Sequence, residues 1–174
     1  MTQAWGGQSE ATKLAWNQWA DANPIIGSLG FQQALTGHAA FCGVNNRLEM
    51  MGQAIISAPP ITPAPNPLST MTVAPDGTLN TCDVTYTATP TGAADILWIT
   101  ACQTNSGGKY WVENLLRGNI FSGVAEASPF DAYAAIAARI GDLTVGAYLH
   151  IKVFVASQTT GLLSAPLRAR AIIV

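Results

Sequence analysis

The sequence predicts an α+β protein: a short helical segment over residues 1–57, a proline-rich linker over 58–69, and a seven-stranded antiparallel β-sandwich over 70–174. Three observations carry this. Up to Gly52 the apolar residues recur at helical three- and four-residue spacing. Residues 58–69 hold five of the ten prolines. From Thr70 onward the apolar period becomes two, broken every few residues by turn chemistry.

Within the first segment, Ser9 is a candidate N-cap for a helix in which Leu14, Trp16, Trp19 and Ala20 recur at mixed three- and four-residue spacing, ended by Asn23-Pro24. A connector follows in which Gly27 and Gly30 flank Leu29. Thr36 caps a second helix with Ala40, Phe41, Val44, Leu48 and Met51 as its apolar stripe, and Gly52 sits at the expected left-handed stop. The proline run has the composition of an extended, semi-rigid spacer.

The predicted strands are Met71–Ala74, Asn80–Ala88, Ile96–Thr104, Tyr110–Leu116, Tyr133–Ile140, Tyr148–Ser157 and Leu167–Val174. Turn residues separate them: Pro75-Asp76-Gly77, Thr89-Pro90-Thr91-Gly92, Asn105-Ser106-Gly107-Gly108, Gly141-Asp142 and Thr159-Thr160-Gly161. Trp98, at the centre of the third strand, is expected to fill the core between the sheets. The Tyr133–Ile140 stretch is also alanine-rich and follows Ser128-Pro129, a helix-like pattern. The Gly141-Asp142-Leu143 corner directly after it favours a strand.

That corner and the residues after it carry a resemblance. Leu143, Gly146 and Tyr148, followed by Gly161, Ser164 and Pro166, resemble the E–F corner and F–G turn of fibronectin type III and related immunoglobulin-like domains. The resemblance covers about residues 70–174 and implies that the Tyr148 hydroxyl ties the corner to upstream backbone. The tryptophan usual after the second strand is absent, Tyr86 being the nearest aromatic. The helical part, with Trp-x-x-Trp-Ala, Asn-Pro and Leu-Thr-Gly-x-x-x-Phe, looks like that of proteins encoded in phage and bacterial genomes with the same layout, which implies a virion or surface structural role.

Charged residues make up 10 % of the chain, with a net charge of −2. A typical soluble domain carries roughly 25 %. So sparse a charge fits a surface covered by neighbours in an assembly. The eight basic residues are scattered in sequence, with only Arg168 and Arg170 close together. No phosphate-neutralising patch is legible, and direct nucleic-acid binding is not expected. No run approaches the roughly 20 apolar residues of a membrane span, and the first ten residues do not read as a secretory signal. Cys42, Cys82 and Cys102 are read as free thiols, although Cys82 and Cys102 fall on strands that could meet.

Nothing in the sequence spells catalysis. His38 and His150 have no triad or metal partners by spacing, Ser106-Gly-Gly-Lys109 lacks the phosphate-loop spacing, and the carboxylates stand singly. The expectation is therefore a protein with no catalytic, cofactor or metal site. Its favoured role is structural: a virion component such as a capsid decoration or accessory shell protein, contacting other subunits and copies of itself. Bacterial cytoplasm before assembly and the cell surface are the alternative settings. Trp5, Trp16, Trp19 and Phe41 are the expected partner-binding residues, because two short helices cannot by themselves bury so much aromatic surface. The alternative is an adhesive or carbohydrate-binding module presenting Tyr110, Trp111, Phe121 and Phe130 to a glycan. An adaptor using Pro59–Pro67 is a third reading.

Overall fold

The computed structural model describes residues 2–26, 32–87 and 92–174. The connector glycines Gly27 and Gly30, Leu29, the end of the second predicted strand at Ala88 and the Thr89–Thr91 turn lie outside them. The chain divides into two compact units, Met1–Pro63 with Gln158–Leu162, and Ala64–Ser157 with Leu163–Val174. In order along the chain, the elements are α1 (Thr2–Gly6), α2 (Glu10–Ala22), β1 (Ile25–Ile26), β2 (Gln32–Gln33), α3 (Gly37–Met50), β3 (Thr70–Asp76), β4 (Thr81–Thr87), β5 (Asp95–Thr104), β6 (Arg117–Phe121), β7 (Phe130–Asp131), α4 (Tyr133–Ile140), β8 (Tyr148–Ser157) and β9 (Leu167–Ile172).

Local chemistry places the helices of the first unit. Ser9 Oγ accepts from the Thr12 amide at 3.2 Å and Thr36 Oγ1 from the Ala39 amide at 3.2 Å, so each satisfies an orphan N-terminal donor. After α3, Gly52 takes φ +72°, the left-handed stop that favours glycine. Gly37 lets the two helices meet: a Cβ there would lie 2.6 Å from the Asn17 amide nitrogen.

Two of the four residues expected to contact a partner, Trp16 and Phe41, lie inside this unit. Trp16 and Phe41 are fully buried inside it, packed edge-on with ring centroids 5.4 Å apart. Trp5 and Trp19 are half-buried against the same cluster. Two short helices suffice because they are not alone. The segment after α3 adds Met51 and Ile56, and the stretch Gln158–Leu162 adds Leu162. Trp16 Nε1 donates to the Ser57 carbonyl at 2.6 Å, buried Asn45 exchanges two hydrogen bonds with the Ile56 backbone, and Arg47 Nε donates to the Gly161 carbonyl at 2.6 Å. Neither Trp16 nor Phe41 offers a face to another subunit. Leu14, counted among the recurring apolar residues of its helix, is exposed.

The second unit holds two antiparallel sheets, of order β3-β4-β7 and β6-β5-β8-β9. They face each other over one core, to which β4 gives Cys82, Val84 and Tyr86, β5 gives Leu97, Ile99 and Ala101, and β8 gives Leu149, Ile151, Val153 and Val155. This is a β-sandwich. Strands β5 and β8 pair along their whole length, from Asp95↔Ser157 to Thr104↔Tyr148. The last residues join both sheets: the Ile173 amide donates to the Ala147 carbonyl, and the Val174 amide to Pro75.

Three sequence expectations need correction here. Residues Tyr133–Ile140 are helix α4, because alanine is the strongest helix former and Tyr133, Ile136 and Ile140 recur on one side, packed on the core. Gly141, at φ +85°, ends it. Tyr110–Leu116 is a turn-containing loop and the strand lies later, at Arg117–Phe121, because the Leu115 and Leu116 amides both bond back to the Val112 carbonyl. Trp98 is not between the sheets. Its neighbours Leu97 and Ile99 take the inner face, so the period-two alternation turns it outward, where it meets Phe121 edge-on at 5.1 Å.

Candidate functional site

The outer face of the four-stranded sheet carries the arrangement with the most chemical content. Outward residues of β8 are Tyr148, His150, Lys152 and Phe154, and the register sets Lys152 opposite Arg168, His150 opposite Arg170, and Tyr148 opposite Ile172. The Tyr110–Leu116 loop folds back over this face and leaves a cavity of about 230 Å³, walled by Tyr110, Val112 and Leu116 on one side and His150, Lys152 and Arg168 on the other.

One carboxylate organises the cations. Glu113 Oε2 lies 2.7 Å from Arg168 Nη2, while its Oε1 accepts from Lys152 Nζ. The Lys152 bond, with Arg168 adding its charge, outweighs desolvation and holds the Glu113 carboxyl below the usual carboxylate range. Arg170 donates to the Gly107 carbonyl at 2.7 Å, and its guanidinium lies over two rings, Tyr110 at 4.6 Å and Tyr148 at 4.7 Å. His150 is buried, within 3.1 Å of Thr104 Oγ1; burial first, and Arg170 second, lower its pKa. It is therefore neutral at pH 7.

Residues scattered in sequence thus converge. Lys152, Arg168 and Arg170 line the cavity, and Lys109 and Arg117 lie within electrostatic reach of nearby Cys102, so five of the chain's eight basic residues gather in this region. Beside them stand the two large aromatics Tyr110 and Trp111, 76 % and 78 % exposed. Phe121 and Phe130, grouped with them from sequence, are half-buried. Among the described residues no group of three or more His, Cys, Asp or Glu side chains is placed to hold a metal ion, and no helix is long and apolar enough to cross a membrane.

The corner residues divide. Leu143 is buried in the sandwich core, and Gly146, at φ +84°, donates to the Ile173 carbonyl at 2.8 Å. Tyr148 does something other than tie the corner: its ring lies under Arg170, close to Gly107. The tyrosine whose hydroxyl anchors backbone is Tyr86, donating to the Glu126 carbonyl at 2.6 Å from within the core. Tyr86→Phe is accordingly expected to cost the sandwich about 1–1.5 kcal/mol, and Tyr148→Phe less than about 0.5 kcal/mol, in urea unfolding of the full chain. Equal losses for both would contradict this division.

All three cysteines are free. Cys82 faces the core, where burial, with Asp131 and Asp83 adding to it, pushes its thiol up to about 12. Cys102 is buried on the other face of its sheet; burial raises its thiol while Lys109 and Arg117 oppose the shift. Half-buried Cys42, the most accessible of the three, is expected to react first with iodoacetamide at pH 8, and Cys82, buried with its thiol pushed up, last. Mass spectrometry of timed samples checks the order.

No family model matches the chain. No curated protein matches it either. Among solved structures it is similar to the crystal structure of a Fn3-like protein from Clostridium thermocellum, at 17 % identity over 62 % of this chain and 93 % of that chain, with a TM-score of 0.31. A likeness at that score carries no weight for fold or function; the sandwich is defined by its own sheet order and core.

Proposed function

We propose that this chain is a non-enzymatic structural protein that works by recognition, with the outer face of its four-stranded sheet as the contact surface. The observation that carries the reading is the exposed Tyr110–Trp111 pair beside Arg168 and Arg170. Trp, Tyr and Arg are the residue types that dominate binding hot spots. The finer fold assignment within this proposal is fibronectin III-like. A constant-type immunoglobulin domain keeps its fourth strand on the first sheet, whereas β6 pairs with β5 in the second.

The setting we propose is a larger assembly, such as a virion in which the chain is a capsid decoration or accessory shell protein; the 10 % charged composition supports it. The same aromatic pair favours a second reading, an adhesive or carbohydrate-binding module on a virion or cell surface. Trp111→Ala in the full chain tests both. Its binding to candidate shells in co-sedimentation, or to glycans on an array, is expected to fall at least about tenfold, with an unchanged circular dichroism spectrum. Wild-type binding by the variant would overturn the choice of surface. Loss on shells alone favours the assembly reading, and loss on glycans alone the adhesive one.

A further inference from the structure

We propose that the cavity beneath the Tyr110–Leu116 loop binds a single sugar ring bearing a carboxylate, and that Glu113 is an internal stand-in occupying its anion subsite. The inference rests on the recognition reading above and narrows it to a ligand class.

The geometry of Glu113 is the starting point. Its two oxygens engage two different cations, Oε2 on Arg168 and Oε1 on Lys152. Those cations are therefore spaced to receive one carboxylate, which Arg and Lys bind through charge-assisted hydrogen bonds. Glu113 comes from the loop that roofs the cavity, not from its floor, and its side chain is 36 % exposed. An incoming carboxylate can take its place without leaving either cation unpaired. Charge favours the exchange: Lys152, Arg168 and Arg170 line the cavity and the one carboxylate of Glu113 pairs with the first two, which leaves two positive charges in excess. That excess lies in a chain whose net charge is −2.

Size and shape narrow the ligand. A cavity of about 230 Å³ is smaller than the roughly 300–1,000 Å³ of sites for drug-sized ligands. It suits one ring rather than a folded peptide. Val112 and Leu116 give it apolar walls, and the Tyr110 ring lines it as well. The C–H face of a pyranose is weakly positive and apolar, and so complements these walls and the negative face of a tyrosine ring. A free carboxylate or an acidic peptide would use the cations and leave that surface idle.

Isothermal titration of the full chain with sodium glucuronate, glucose, sodium acetate and tri-glutamate tests the proposal. Glucuronate is expected to bind saturably, at least about tenfold more tightly than each of the other three, a gap of about 1.4 kcal/mol. Arg168→Ala, at an exposed position, should weaken glucuronate by about tenfold or more. Glu113→Gln should strengthen it by about fivefold, because the internal competitor is gone. A Glu113→Gln variant that binds glucuronate no better than wild type overturns the stand-in role. Glucose binding as tightly as glucuronate overturns the carboxylate requirement. Acetate or tri-glutamate binding as tightly overturns the sugar. No saturable heat with glucuronate in either wild type or Glu113→Gln overturns the site altogether, yet leaves the recognition reading to the separate Trp111→Ala measurement.

Discussion

Trp16→Ala is expected to cost the helical unit about 3–5 kcal/mol, the usual loss for truncating a fully buried large aromatic. Trp16 is 0 % exposed and packs edge-on against both Phe41 and Trp19. Its removal opens a cavity at the centre of the cluster of Ala20, Ala40, Val44 and Leu48. It also deprives the Ser57 carbonyl of its donor, loosening the segment that follows α3. Urea unfolding of the full chain at 222 nm should show the helical signal lost at a clearly lower midpoint. An unchanged midpoint would mean that Trp16 is not internal, and would return it to the list of candidate partner contacts.

Gly37→Val is expected to be nearly as damaging, for the opposite reason. A Cβ at Gly37 would meet Asn17 Oδ1 at 2.3 Å, the Asn17 amide nitrogen at 2.6 Å and the Trp16 carbonyl carbon at 2.9 Å. The asparagine side chain can turn away, but backbone atoms of α2 cannot, so the two helices must part. The Gly37 amide would then lose its 3.0 Å bond to Asn17 Oδ1 as well. Overpacking of this kind costs about 3 kcal/mol. The same unfolding measurement reads it, and a Gly37→Val midpoint within error of wild type would contradict the close approach of α2 and α3.

Local chemistry was legible in the sequence wherever one turn of chain contains both partners. Ser9 with Thr12, Thr36 with Ala39, and Gly52 after α3 are of this kind. So was β8, whose inner residues Leu149, Ile151, Val153 and Val155 alternate without a break. Where two plausible patterns compete, tertiary structure decides. In Tyr133–Ile140 helix propensity outweighed the neighbouring corner motif. In Ile96–Ile99 all four residues are buried, so parity alone could not say which face was the core. Trp98 is buried on the outer face because it packs against Phe121, a fact of tertiary structure.

The cation cluster shows the same boundary from the other side. Glu113 and Lys152 are 39 residues apart, and nothing local links them. A signal for part of the site was nevertheless present: Lys152 and Arg168 are equidistant from Thr160 in the turn between β8 and β9, so a simple hairpin register pairs them, as it does here. The burial of Trp16 was not legible because residues Gln158–Leu162, remote in sequence, complete the helical unit.

The central claim is that recognition belongs to the sandwich face at Trp111 while Trp16 of the helical unit is internal. Graded oxidation of the folded full chain with N-bromosuccinimide, followed by peptide mass spectrometry, measures this for each indole in turn. Trp111 should be modified first and Trp16 last, with Trp5 and Trp19 between them. Modification of Trp16 as early as Trp111 would contradict the claim.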